Sequence, residues 1–271
     1  GSGKTIVALF ALLNAVECGG QVAFMAPTEI LARQHFATIA PLVAPAGIKV
    51  AILTGRDKGA ARRNVLQGLA DGAIDIVVGT HALFQTGVEF KTLTAAVIDE
   101  QHRFGVHQRL SLAGKGQGID VLVMTATPIP RSLALAQYGD MDVSVLDEKP
   151  PGRKPIRTAL VSAERMAEVV DHLRRAVAEG RQAYWVCPLV EETEESELMS
   201  AEERQAVLAQ FIKSPIGLVH GRMSGPEKDA AMLAFKNGET RLLVATPVVE
   251  VGVDVPRLRA RLEHHQPSHL C

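Results

Sequence analysis

Short apolar runs alternate with helix-length stretches along this chain, and that alternation is how a parallel α/β sheet is written into sequence. Five runs fall in the first half: Gln21–Ala26, Val50–Thr54, Ile74–Gly79, Ala95–Ile98 and Val121–Thr125. Each is too continuously apolar for a strand with one wet face, so both faces of the sheet are expected to be covered. Residues 146–155 (LDEKPPGRKP) then interrupt the pattern with prolines, a glycine and mixed charge, as a linker does. A second set follows: Ile156–Val161, Ala183–Val186, Ile216–Val219 and Arg241–Ala245. The expected organisation is one α/β domain over 1–147, a linker over 148–155, a second, incomplete α/β domain over 156–256, and an aberrant tail over 257–271. The acidic run Glu191–Glu197 reads as a solvated loop.

Composition narrows the function classes. Hydrophobic residues make up 47% of the 271 residues against 22% charged, enough for a core in both halves. No apolar run reaches the roughly 20 residues of a membrane span, and the first residues do not read as a signal peptide. Cys18, Cys187 and Cys271 share no close spacing, so neither a disulfide framework nor a zinc site is expected, and a reduced, cytosolic setting is. A net charge of −1 supplies no bulk positive field. Nucleic-acid contact would have to be local, through helix N-termini and a few placed arginines.

Gly1-Ser2-Gly3-Lys4-Thr5 is the second half of a phosphate-binding loop, G-x-x-x-x-G-K-[ST]. The earlier glycine and the strand that normally precedes it would lie before residue 1. Ile6–Val16 is apolar, of helix length, and ends at Gly19-Gly20. A helix starting at Gly3 or Lys4 aims its free N–H groups at phosphate. Lys4 then reaches the β/γ-phosphates of ATP, and Thr5 offers its hydroxyl to Mg²⁺. Alone, these five residues also fit a glycine-rich start to an ordinary helix. Asp99-Glu100 supplies the second half of the chemistry, because it follows the run Ala95–Ile98 at the carboxyl end of a buried strand. There Asp99 holds Mg²⁺ through its water shell, while Glu100 orients and deprotonates the attacking water. His35 and His107 show no metal-ligand pattern and read as satisfied polar residues.

Five ordered segments resemble the motifs of superfamily-two helicases: G-S-G-K-T, Ala26–His35, Val78–Leu83, Asp99–Val106 (DEQHRFGV) and Thr125–Arg131 (TATPIPR). The wording of the last two, and E-K-P-P-G-R-K-P over Glu148–Pro155, narrows the resemblance to the RecG family of bacterial ATP-dependent DNA helicases. Mfd-like translocases share T-A-T-P-I-P-R but differ at Gln101-His102. The resemblance implies two tandem RecA-like P-loop domains whose cleft binds Mg·ATP, with Gly1, Ser2, Gly3, Lys4 and Thr5 cradling the nucleotide. It places Thr28, Arg33, Thr80, His81, Arg131 and Arg222 on the DNA backbone. Gln101, His102, Thr125 and Thr127 would couple hydrolysis to movement, and Gly252 and Asp254 would close over ATP from the second domain. A lone threonine before a helix is otherwise an N-cap.

The implied activity is branch migration and fork regression on branched duplex DNA, Holliday junctions and stalled forks, in repair and recombination, by a cytoplasmic monomer with no membrane partner. The family pattern also predicts adenine contacts and a junction-recognising wedge domain before Gly1. After Pro256 it predicts a strand, a helix and a Q-x-x-G-R-x-G-R motif, whereas Arg257–Cys271 shows no apolar strand run. An arginine finger is worth on the order of 10³–10⁵ in rate. The expectation for this chain by itself is therefore weak or absent ATP hydrolysis. A remnant that binds nucleotide or DNA without turnover is the reading from a different class.

Overall fold

A computed structural model of the chain describes residues 3–99, 118–126, 142–148, 157–187, 194–246 and 258–263. The chain divides into two compact units, Gly1–Pro155 and Ile156–Cys271.

The first unit runs α1 (Lys4–Glu17), β1 (Gln21–Met25), α2 (Glu29–Val43), β2 (Val50–Leu53), α3 (Gly59–Asp71), β3 (Ile76–Gly79), β4 (Leu93–Ile98) and β5 (Asp120–Val123). Its five strands are all parallel, in the order β2-β3-β1-β4-β5. Each strand matches one of the apolar runs to within two residues at either end. The central strand β1 is buried along its whole length, as a sheet covered on both faces requires. Helix α2 shows the packing logic of the layer above it. Leu31, His35, Ile39 and Val43 recur every four residues and are buried, so they form one stripe facing the sheet. Met25, Leu53, Leu69, Val77, Leu83 and Ile98 lie in one core cluster.

The second unit runs α4 (Met166–Ala178), β6 (Gln182–Val186), α5 (Glu194–Phe211), β7 (Ile216–Val219), α6 (Gly225–Asn237), β8 (Leu242–Ala245) and β9 (Leu258–Glu263). Its parallel sheet has the order β7-β8-β6-β9. Leu173, Val177, Trp185, Leu208, Ile212, Leu242 and Val244 form its core.

The two sheets share one plan, with β6 in the place of β1 and β9 in the place of β4. The agreement extends to single residues. Gln21 opens β1 and its buried side-chain amide donates to the Leu69 carbonyl at 3.0 Å, two residues before the end of α3. Gln182 opens β6 and its amide donates to the Phe235 carbonyl, two residues before the end of α6. Both strands also shift register immediately after the glutamine, against β4 and β9 respectively. A buried amide bonded to a helix-end carbonyl satisfies one of the acceptors that every helix terminus leaves over.

Three expectations are corrected. Residues 157–161, part of the expected strand Ile156–Val161, have no regular structure, and Leu160 is 96% exposed. β-propensity measures fit to a pleated, half-buried surface, and this run has no ladder partner among the described strands. Residues 194–197 of the acidic run belong to α5 and not to a loop. Glutamate is a good helix former, so a charged run on a solvated face can remain helical. Third, 258–263 forms β9 and pairs with β6 from Gln182↔Leu258 to Val186↔Glu263, where no strand was expected. Its sequence, L-R-A-R-L-E, alternates instead of running apolar, so no continuous run marks it as a strand. Leu262 is half-buried and packs on the core of the second unit.

Candidate active site

Parallel strands deliver whatever follows them to a single edge of the sheet, and in open α/β sheets that carboxyl edge is where ligands bind. Only Cys18, Gly19 and Gly20 separate α1 from β1, so the last turn of α1 lies at the opposite, amino edge. A helix of 14 residues is about 21 Å long, slightly more than the span of a five-residue strand. Packed against β1 and β4, it therefore brings its first turn to the carboxyl edge.

That first turn begins after Gly3, whose φ of 90° lies in the left-handed region that favours glycine. A Cβ added at Gly3 would meet nothing within 4 Å. No side chain caps the helix and its first turn carries no acidic residue, so its leading N–H groups keep their pull on an anion. Lys4 and Thr5 are half-buried in this turn.

Asp99 follows β4. Its N–H donates to the Met25 carbonyl at 2.9 Å, which continues the β1–β4 ladder one residue beyond the strand. The side chain is buried, and Oδ2 stands 2.9 Å from Nε2 of His35 on α2. An ionised carboxylate only accepts, so the imidazole donates from Nε2.

The remaining described candidates of the first unit share this edge. Thr28 is the N-cap of α2, its hydroxyl accepting from the Leu31 N–H at 3.4 Å. Arg33 is exposed on the second turn of the same helix. Thr80 follows β3 and is 3% exposed, and its Oγ1 is buried with no hydrogen-bond partner among the described residues. His81, next in sequence, is exposed at the start of a short 3-10 turn, His81–Phe84. Thr125 is half-buried just beyond β5, where Met124 N–H donates to the Ile98 carbonyl at 2.8 Å. In the second unit, Arg222 is exposed in the turn between β7 and α6. Gly1, Ser2, Glu100, Gln101, His102, Thr127, Arg131, Gly252 and Asp254 lie outside the described residues.

Three features of these edges escape a reading of the sequence. His35 is the partner of Asp99, although nothing in the order of residues joins them. The turn after β2 carries Arg56, which pairs through its guanidinium with Glu29 at the start of α2, while Asp57 accepts from the Thr54 N–H at 2.6 Å. The signal there was a Thr-Gly step directly after an apolar run. Thr246 follows β8 as Thr80 follows β3, and the two N–H groups donate to Val219 and Leu53 at the ends of the neighbouring strands. Thr246 Oγ1 is likewise buried without a partner among the described residues. A buried hydroxyl left unsatisfied costs on the order of 1–3 kcal/mol, so a matched pair asks for an explanation.

Among the shifted groups of the second unit, His220 and Cys187 are moved chiefly by burial. Burial pushes the His220 imidazole below its ordinary value against the pull of Glu202, and Lys228 and Arg222 push the same way as burial while Glu227 opposes it. Burial pushes the Cys187 thiol up, partly offset by Arg204.

A glycine-led helix start and a buried acidic strand end on one edge of a parallel sheet, with a second sheet of the same plan, are the build of a helicase-type P-loop protein. The chain belongs to the DEAD/DEAH box helicase family, whose model matches residues 1–136, and the helicase conserved C-terminal domain matches residues 164–267. Within that family it is of RecG type. It is 53% identical over 265 residues to the ATP-dependent DNA helicase RecG of Haemophilus influenzae, covering 94% of this chain and 38% of that protein. Against RecG of Escherichia coli K12 the identity is 52% over 262 residues, with the same coverage. A structure of RecG bound to a three-way DNA junction superposes with a TM-score of 0.75 at 46% identity, covering 96% of this chain and 34% of that one. The chain thus spans 38% of the length of these curated relatives.

Proposed function

We propose that this chain is the motor portion of a RecG-type DNA helicase, in which ATP hydrolysis drives branch migration and fork regression of branched DNA during repair and recombination, acting in the cytoplasm as a monomer. The observation that carries the reading is the shared edge: α1 packs against β1 and β4, so its first turn, holding Lys4 and Thr5, and the buried Asp99 that follows β4 come to the same carboxyl edge of the sheet. Gly1, Ser2, Gly3 and Lys4 cradle the phosphates in this proposal, with Gly252 and Asp254 contributing from the second unit.

The residues present fit Mg·ATP. Asp99 offers a hard oxygen donor of the kind Mg²⁺ takes, usually one or two carboxylates with substrate phosphates. The open space beside Gly3 allows backbone to approach a phosphate chain closely. Thr5 and Asp99 would hold Mg²⁺, which when bound neutralises charge on the transferring phosphoryl group. Lys4 positions the β/γ-phosphates, and Glu100 takes the proton of the attacking water. On the DNA side, Thr28, Arg33, Thr80, His81, Arg131 and Arg222 meet backbone phosphates, which fixes register without reading sequence. The buried hydroxyls of Thr80 and Thr246, without a partner among the described residues, are two donors suited to phosphate oxygen. Gln101, His102, Thr125 and Thr127 relay the nucleotide state to that surface.

The test is ATP hydrolysis with and without a branched DNA, on this chain and on a version extended at both ends to the length of its relatives. DNA-stimulated turnover in the extended protein that disappears in Lys4→Ala and Glu100→Gln is the expected result. Turnover indifferent to Lys4→Ala would refute the reading. Nucleotide binding without turnover in the extended protein would favour the non-hydrolysing class.

A further inference from the structure

We propose that His35 is a positioning residue for the Asp99 carboxylate, and that it thereby sets the Mg²⁺ requirement of nucleotide binding. The inference rests on the functional reading above and deepens it at one residue.

His35 and Asp99 are 64 residues apart in sequence and 2.9 Å apart in space. Both are buried, at 7% and 8% exposed. The imidazole sits on the core-facing stripe of α2, among Leu31, Ile39 and Val43, where an apolar residue would pack without needing a partner. Phe24, fully buried on β1, lies against the ring with centroids 4.5 Å apart and planes tilted by 44°. The ring is therefore held by packing on one side and by α2 on the other, and its Nε2–H points at the carboxylate. Asp99 is held twice over, its backbone by the Met25 carbonyl and its side chain by His35.

The bond occupies one carboxylate oxygen and fixes the rotation of the carboxylate plane about its last torsion. A carboxylate held in this way faces Mg²⁺, or the waters that Mg²⁺ carries, in a single direction, so the cation site is preorganised before nucleotide arrives. Hydrogen bonds of this outer kind typically contribute 10–100-fold to metal affinity or activity when removed one at a time. The segment Ala26–His35 otherwise has its roles assigned to Thr28 and Arg33, and His35 supplies a reason for the histidine that closes it.

The experiment is binding of a fluorescent ATP analogue by this chain, titrated with Mg²⁺ at fixed pH, with thermal unfolding recorded for every variant. His35→Ala should raise the half-saturating Mg²⁺ by about 10- to 100-fold. His35→Leu, which refills the volume, should do the same, while binding in EDTA stays unchanged in both. His35→Gln, whose side-chain amide can donate toward the carboxylate, should recover most of the loss. An Mg²⁺ midpoint unmoved in the alanine or the leucine variant overturns the inference. So does a shift in the glutamine variant as large as in alanine, because that marks a purely structural loss. The same variants are made in the version extended at both ends; wild-type extended protein that binds no nucleotide, or that binds it equally well as Lys4→Ala, overturns the functional reading itself, so the two failures are distinguishable.

Discussion

Gly79 is the position where one added methyl group should do the most damage to the carboxyl edge of the first sheet. It ends β3, pairing with Leu53 of β2 on one side and Met25 of β1 on the other. A Cβ built there falls inside contact distance of the Leu53 carbonyl oxygen and 2.9 Å from both Cγ and Cδ2 of Leu83. Leu83 is fully buried, yet its side chain has rotamers to try. The Leu53 oxygen has none, because it belongs to the ladder and accepts from the Thr80 N–H. Overpacking costs about 1–3 kcal/mol, and a backbone obstacle places Gly79→Ala in the upper half of that range. In a domain of this size each kcal/mol moves Tm by roughly 2–4 °C, so the first unit should melt about 4–12 °C lower. Gly55→Ala is the control. Its Cβ would meet only Glu29 Oε1, at 3.8 Å, and the substitution should be neutral or stabilising by up to about 1 kcal/mol. Circular dichroism follows both units, whereas the single tryptophan, Trp185, lies in the second. Gly79→Ala should lower the dichroism transition and leave the tryptophan transition in place. A Gly79→Ala midpoint within about 1 °C of wild type would refute the packing argument.

Other expectations follow from single contacts. Thr28→Ala removes the N-cap of α2 and should cost about 1 kcal/mol in urea unfolding, with Thr28→Ser retaining most of it. If Thr28 also meets DNA, the serine variant keeps DNA affinity and the alanine variant loses it. His220 has a folded pKa depressed by burial, so the unfolded chain binds that proton more readily. The stability of the second unit should then be full above the ordinary value of 6.5 and fall as pH drops through it. His220→Gln should flatten that slope, and an unchanged slope would contradict the assignment. Cys18 is exposed, while Cys187 is buried with its thiol pushed up, so iodoacetamide should label Cys18 in the native protein and Cys187 only on unfolding.

Much of the fold was legible because it is locally coded. The strands β1 to β4 and β6 to β8 announce themselves as continuous apolar runs, since a doubly covered sheet leaves no polar face to interrupt them. Helix α1 is visible in Ile6–Val16 and starts at Lys4, directly after the glycine whose conformation a helix entry of this shape needs. The Asp99 half of the candidate site was legible as an acidic residue at a strand end. Strand β9 was not, because an alternating hexapeptide with two arginines resembles a charged tail. The run at 157–161 misled for the opposite reason: it has β-propensity but no neighbour to pair with among the described strands.

The sequence by itself therefore determined the class of fold, the glycine-led helix start, the acidic strand end and the family, all of which depend on residue type and near-neighbour spacing. Tertiary structure alone decided the partnerships. It set His35 against Asp99 across 64 residues, matched Gln21 with Gln182 and Thr80 with Thr246 between two units, and seated L-R-A-R-L-E beside β6. The physical reason is that periodicity records which face of an element is buried, whereas strand order and register decide what that face is buried against.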